Sequence, residues 1–192
     1  VEIGTGTEIM AGTVLRRGTK IGKNCKIGPN VTAENCKTGD SVIINTAQIY
    51  DSEIESGVEI GPFVHIRPHS VIKKGAKIGD FVEIKNSVIG EKTAVAHLVY
   101  IGDSDVGRKV NIGAGTVTVN YDGIEKSRCV IGDKCFIGCN TNLIAPLKLG
   151  KAVYTAAGTT VTRDVSDYAL VIDRGVMKVK EGYTIRKFKS QL

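Results

Sequence analysis

The sequence predicts an all-β fold, a parallel β-solenoid of three-sided coils, and three observations carry that reading. Apolar residues at Ile54, Ile60, Ile66, Ile72, Ile78 and Ile84 keep a stride of six without a miss. Four residues after each of the first five come Val58, Val64, Ser70, Ala76 and Val82, all small or β-branched. The same period recurs at Ile3, Ile9, Leu15, Ile21 and Ile27, and again at Ile131, Ile137, Leu143 and Leu149. A helix needs spacings of three and four and a strand needs strict alternation, so a stride of six marks a repeat. Each hexad reads as a short strand plus a corner, the large aliphatic side chain pointing inward with the small residue beside it. Three hexads close an eighteen-residue coil, and coils stack at the ordinary inter-strand distance of about 4.8 Å.

Residues 1–33 read as regular coils, with Arg16, Arg17, Lys20 and Lys23 on a solvated face. Residues 34–53 lose the period but keep the β-formers Val42-Ile43-Ile44 and Gln48-Ile49-Tyr50, which predicts irregular coils rather than a linker. The block 54–112 is regular apart from a one-residue slip between Ile84 and Ile89 and a break near Ile112. Residues 113–130 contain the turn-forming string Asn120-Tyr121-Asp122-Gly123 and are expected to leave the solenoid as a loop, although Thr118, Ile124 and Val130 would also fit a weak register. Coils resume at 131 and fade near Val161. The expected division is a solenoid domain over 1–165 and an arm over 166–192. Arg174, Lys178, Lys180, Arg186, Lys187 and Lys189 lie in the C-terminal stretch.

Composition fits one elongated domain. A chain of 192 residues holds about ten coils. Aromatic residues make up only 5% and Trp is absent, as a thin triangular interior requires. The 23 glycines suit repeated corners at positive φ. No run approaches the roughly 18 apolar residues of a membrane helix, and no signal peptide opens the chain. Val1 already lies inside a repeat, so a preceding portion is expected. Five cysteines with no CxxC spacing, Cys25 and Cys135 among them in small inward slots, argue against a disulfide framework or zinc site and for a reducing, cytoplasmic setting. The formal charge of +6 allows an anionic partner. Basic and acidic residues are interspersed and no recognition motif for nucleic acid is present, so a phosphorylated small molecule fits better.

The period also places polar side chains. Arg67 and Lys85 each follow a repeat Ile and stand eighteen residues apart, which puts them in one slot of adjacent coils, roughly 5 Å apart along the stack. Two such cations either bridge an anion or splay into solvent. His65 and Glu83 share another slot, and Tyr100 falls one coil above Glu83 once the slip is counted. His97 precedes Tyr100 by three residues. A cation pair, a carboxylate, an imidazole and a phenol converge on one side of two or three coils, which makes His97 a candidate base.

The hexad Ile78-Gly79-Asp80-Phe81-Val82-Glu83 resembles those of the hexapeptide-repeat acyltransferases, and that resemblance implies a left-handed parallel β-helix. Arg67-Pro68, Phe81-Val82-Glu83-Ile84-Lys85, His97-Leu98-Val99-Tyr100-Ile101-Gly102-Asp103, Asn111-Ile112-Gly113-Ala114-Gly115-Thr116 and Asn120-Tyr121-Asp122-Gly123 extend it. Together they resemble the acetyltransferase half of the bacterial bifunctional N-acetylglucosamine-1-phosphate uridyltransferase/glucosamine-1-phosphate acetyltransferase family. The resemblance covers essentially the whole chain.

The resemblance implies acetyl transfer from acetyl-CoA, the co-substrate, to the 2-amino group of glucosamine 1-phosphate, a step toward UDP-N-acetylglucosamine. No metal, nucleic acid or membrane partner is implied. His97 would be the general base, supported by Glu83. Arg67 and Lys85 would hold the sugar phosphate, Tyr100 and Asn111 would fix the sugar, and Lys126 would lie nearby. Ala114, Asn120 and Tyr121 would meet acetyl-CoA or the reacting amine, and Cys139, Ala157 and Arg174 the coenzyme. The family is trimeric, so a homotrimer is implied, one site drawing on more than one chain. One departure stands at Gly138-Cys139-Asn140-Thr141, where the family commonly has Ser. A thiol is a weaker donor than a hydroxyl, which leaves a backbone contact there as the alternative. Other readings of the same repeat are a different hexapeptide-repeat acyltransferase, a non-catalytic scaffold, or a γ-class carbonic anhydrase. The last needs three converging histidines, and His65, His69 and His97 occupy slots that do not converge.

Overall fold

The computed structural model describes residues 1–187 and is a parallel β-solenoid of about ten turns, the left-handed parallel β-helix expected. Three parallel sheets of nine, ten and nine strands form the sides of the prism, and up to Thr160–Val161 every third strand belongs to the same sheet. In the regular block the registers pair Ile54 with Ile72, Ile60 with Ile78 and Ile66 with Ile84, eighteen residues apart. These aliphatic side chains belong to inward files buried from Ile21 onward, while Ile3 and Ile9 of the first coil are exposed; Val58, Ala76 and Val82 fill the slots beside them.

The irregular stretch 34–53 stays in the solenoid. Strands Lys37–Thr38, Ile43–Ile44 and Ala47–Tyr50 pair with coils on both sides, with strides shortened to sixteen or seventeen residues. The predicted loop over 113–130 is shorter than expected. Strand Val117–Val119 remains in the third sheet, because Thr118 turns inward and its hydroxyl accepts from the Gly102 N–H at 2.8 Å. Only the stretch between this strand and Cys129–Ile131 leaves the prism. Ile124, 91% exposed, keeps no register, and in the next coil Cys129 and Ile131 point inward while Val130 points out. At the far end Leu170–Val171 adds a tenth strand to the second sheet, paired with Tyr154–Thr155 and lying beyond the expected boundary at 165. A short helix, Tyr183–Lys187, follows an exposed extended segment; Lys189 lies outside the described residues.

Glycine has two uses here. At Gly12 φ is +73°, and the coil above puts Asn30 at the same corner with φ 54°, so many corners take Asn, Asp, Ser or Lys where glycines were expected. Gly79 serves a different need. A Cβ there would overlap the Ala96 carbonyl oxygen of the next coil, so the absent side chain lets two backbones approach. Gly79→Ala should therefore destabilise the protein by about 1–3 kcal/mol, the usual cost of overpacking. Gly175, with open space around it, should tolerate Ala within about 0.5 kcal/mol. Urea midpoints read both, and equal midpoints for the two variants would show that the coils are not tightly apposed at Gly79.

Candidate active site

Most of the residues singled out from the sequence lie on the third sheet and at the corner where the second sheet turns into it. On the outer face of the third sheet, strands Val64–Ile66, Glu83–Lys85 and Tyr100–Gly102 stack in order. Their registers place His65, Glu83 and Tyr100 in one file and Lys85 opposite Gly102. Arg67 follows the first of these strands. Its guanidinium donates to Glu83 Oε1 at 2.8 Å, both side chains being 39% exposed. Arg67 is thus turned toward the carboxylate, and Lys85 stands instead beside Lys126 from the projecting loop. The Lys126 ammonium lowers the pKa of Lys85 from its ordinary value; partial burial and Arg67 act in the same direction, while Asp103 opposes them. Three cations share one patch.

Asp103 organises the floor of this patch. It is buried at a corner with φ 47° and accepts from the side-chain amides of Asn86 and Asn120. Burial disfavours its charge, but the two amides, Lys85 and Lys126 together hold its carboxyl below the usual range. Asn120 begins the loop, so the Asp103 contact fixes where the loop leaves the prism. Tyr121 and Lys126 form an antiparallel bridge across it, and Arg128 ties its far end through a fork to Asp105, at 2.7 and 3.1 Å, and a bond to the Asn86 carbonyl. Gly102 leaves space for the Tyr100 hydroxyl and the Asn120 amide, where a Cβ would collide with both. Sequence reasoning assigned no role to Asn86, Gly102, Asp103 or Arg128. Gly102 and Asp103 lie within the His97–Asp103 string, and a Gly-Asp pair at a coil corner was the signal available.

His97 ends strand Ala94–His97 and is exposed at the corner. Corner hydrogen bonds run from Leu98 N to the Asp80 carbonyl, Gly115 N to the His97 and Leu98 carbonyls, Asn140 N to Ala114 and Gly158 N to Cys139. They put Asp80, His97, Ala114, Cys139 and Ala157 on successive rungs of one corner file. Above His97 this file carries only small exposed or half-buried side chains, an open strip running along the axis. Glu83 and His97 make no hydrogen bond to each other among the described residues; the carboxylate on the rung next to His97 is Asp80. Asn111 lies on the outer face of the second sheet, around the corner from Tyr100 and Glu83. Arg174 is exposed just past the last strand.

Flanking this corner, Phe63, Phe81 and Leu98 occupy αL positions, with φ of 58, 57 and 51°, and are 57, 57 and 64% exposed. The two rings stack at 5.2 Å. The four remaining cysteines are buried and free, and burial pushes the thiols of Cys36 and Cys129 up to about 11, so at neutral pH these two are protonated and inert. Among the described residues no group of three or more His, Cys, Asp and Glu is arranged to hold a metal, and no helix is long and apolar enough to cross a membrane.

Replacing Asp103 by Ala should leave two amides without an acceptor and remove the counter-charge of Lys85 and Lys126. The expected loss is about 1–3 kcal/mol, read as a lowered urea midpoint. An unchanged midpoint, with loop amides exchanging no faster, would remove Asp103 from its organising position.

Comparison with known proteins agrees with this architecture. The description "GMPPB C-terminal domain" matches residues 50–141 and "Bacterial transferase hexapeptide (six repeats)" matches residues 1–35. The bifunctional protein GlmU of Acetivibrio thermocellus is 46% identical over 187 residues, which are 97% of this chain and 41% of that protein. The chain therefore spans about two fifths of the length of the curated relatives it matches. Among solved structures, the UDP-N-acetylglucosamine O-acyltransferase LpxA of Moraxella catarrhalis superposes with a TM-score of 0.57 at 16% identity, covering 96% of this chain and 77% of that one. A perosamine N-acetyltransferase mutant from Caulobacter crescentus, in complex with CoA and GDP-perosamine, gives 0.54 at 21% identity, covering 60% and 53%. At such identities the two structures speak for the fold, while the GlmU relatives match the chain over nearly its whole length. The chain carries the bacterial transferase hexapeptide repeat and belongs, over nearly its whole length, with part of the bifunctional GlmU proteins.

Proposed function

We propose that this chain transfers the acetyl group of acetyl-CoA to the 2-amino group of glucosamine 1-phosphate in the cytoplasm, as a homotrimer. In the native protein it would work alongside a uridyltransferase domain. The observation that carries the reading is the cationic patch of Arg67, Lys85 and Lys126, from the two coils preceding that of the exposed His97 and from the projecting loop. The lowered pKa of Lys85 means that the empty patch disfavours its own charge, and a dianionic phosphate relieves that.

On this reading the phosphate draws Arg67 into a fork and competes with Glu83 for the guanidinium. The released Glu83 carboxylate becomes available to favour the imidazolium of His97, the role the resemblance gives it. His97 removes a proton from the amine as its nitrogen attacks the thioester carbonyl. The developing oxyanion takes a backbone N–H from the Gly113-Ala114-Gly115 segment, and CoA leaves as the thiol. The corner strip over Ala114, Cys139 and Ala157 holds the coenzyme, with Arg174 at its far end. Small side chains suit that use, and at Cys139 the backbone is the better donor than the thiol. Tyr100 and Asn111 fix the sugar, and Asn120 and Tyr121 meet acetyl-CoA or the reacting amine at the loop's edge.

Turnover of acetyl-CoA with glucosamine 1-phosphate, compared with unphosphorylated glucosamine, tests the reading directly. A strong preference for the phosphorylated sugar is expected, and His97→Ala should lower kcat by about 10² to 10⁴. No turnover by the wild type, or near-normal turnover by the variant at neutral pH, refutes it.

The trimer is supported by two features. Asn111 and the third-sheet residues point from different faces of one rigid prism, so one site using both draws on two chains. The exposed file Phe63, Phe81 and Leu98 borders that site and gives an apolar surface to a neighbour. His97→Ala and Asn111→Asp proteins, each inactive alone, should regain about a quarter of wild-type activity after co-refolding at equal amounts, since a mixed trimer keeps one intact site of its three. Co-refolding without recovery, together with a light-scattering mass of 20.5 kDa, would show one-chain sites.

A further inference from the structure

Two of the chain's few aromatic residues are stacked on the outer face of the second sheet, apart from the substrate patch. Phe136 and Tyr154 lie in register on adjacent rungs, with ring centroids 4.6 Å apart and planes 11° apart, and they are 42 and 48% exposed. Asn111 stands on the rung before them and exposed Leu170 on the rung after. The file therefore rises over three rungs, roughly 14 Å.

Its position along the axis is what gives it meaning. Ala114, Cys139 and Ala157 each follow Asn111, Phe136 and Tyr154 by three residues, so the aromatic file and the small-residue corner strip run side by side through the same three coils. The two rings cover each other's faces and present their edges outward. A planar base would find no free ring face between them, whereas an extended, largely aliphatic chain can lie along a row of edges and the Leu170 side chain. An aromatic cross-strand pair also adds a little stability to the sheet, and a purely structural role is the competing explanation.

We propose that Phe136, Tyr154 and Leu170 form an apolar rail for the pantetheine arm of acetyl-CoA. The rail would hold the thioester end level with His97 while the arm runs along the corner strip toward the C-terminal coils. This rests on the acetyl-CoA reading above and adds binding residues to it. The contact is made along the arm and not at the reacting atoms, so its signature is dependence on donor length.

Steady-state kinetics of the whole chain with three donors separates the possibilities: acetyl-CoA, S-acetylpantetheine and S-acetylcysteamine, the last lacking most of the arm. In Phe136→Ala and Tyr154→Ala, KM for acetyl-CoA and S-acetylpantetheine should rise about tenfold, and the kcat/KM ratio of S-acetylpantetheine to S-acetylcysteamine should fall by about the same factor. Phe136→Leu, which keeps an apolar side chain and the fold, should show a smaller change in the same direction. A ratio unchanged in all three variants overturns the rail, as does an equal loss with every donor. A fall in assembly mass by light scattering, with the ratio unchanged, would assign the file to contacts between copies and overturn it too. Failure of the underlying reading looks different: the wild type would turn over none of the three thioesters, and the rail would fall with it.

Discussion

The structure depends on the hydrogen bond each coil makes to the next. From Glu2 N to the Thr19 carbonyl through Tyr154 N to the Ala169 carbonyl, backbone groups of one coil pair with those of its neighbour along the prism. A parallel ladder of this kind leaves no freedom in register, so a residue's neighbour is the one a coil away rather than the one beside it in sequence. Inward files become continuous apolar columns, and a glycine such as Gly79 is required where two backbones meet. Outward files become straight rows of chemistry. Arg67 reaches Glu83, and Asn86 reaches Asp103, because each pair stands on adjacent rungs.

This explains what was legible. The stride of six gave the prism, the inward files and the shared slot of Arg67 and Lys85 without knowledge of any relative. It also put His65, Glu83 and Tyr100 in one file, as the registers have them. Side-chain direction was not legible, because period fixes a Cα and not a rotamer. Arg67 turns to Glu83, and the cation beside Lys85 is Lys126, which comes from a loop that has no period. The extent of that loop was misjudged because Thr118 breaks the apolar pattern while still filling an inward slot with its hydroxyl satisfied. The Asp103 network escaped notice for a related reason. Its members stand seventeen residues apart, the spacing that also puts Tyr100 above Glu83, and what hid them is that the period gives no side-chain direction at a corner.

Rigidity has a consequence for any site on such a scaffold. Faces of one prism diverge, so a pocket enclosed on several sides needs a projecting loop or a second prism. The stretch after Val119 supplies the first and is stiffened at both ends, by Asp103 and by Arg128. The strained, exposed file of Phe63, Phe81 and Leu98 fits the second. Its corner carries Gly115 and Asn140 in later coils, residues that adopt positive φ at little cost. Bulky apolar residues there are a burden to an isolated chain and become useful where they are covered.

The Arg67–Glu83 pair shows how a stiff scaffold can still respond to substrate. Each partner is more than a third exposed, and ion pairs of that kind contribute about 1 kcal/mol or less. A charge-assisted phosphate contact contributes about 1.5–3 kcal/mol, so the exchange of partners proposed for Arg67 runs downhill without backbone movement. Lys85 and Lys126 steepen it, since each is relieved of the other's charge by the same anion. A buried pair would have resisted, because its partner could not be left unpaired in a dry interior. The half-exposed setting is thus suited to a carboxylate that is held while the site is empty and freed when the sugar phosphate arrives.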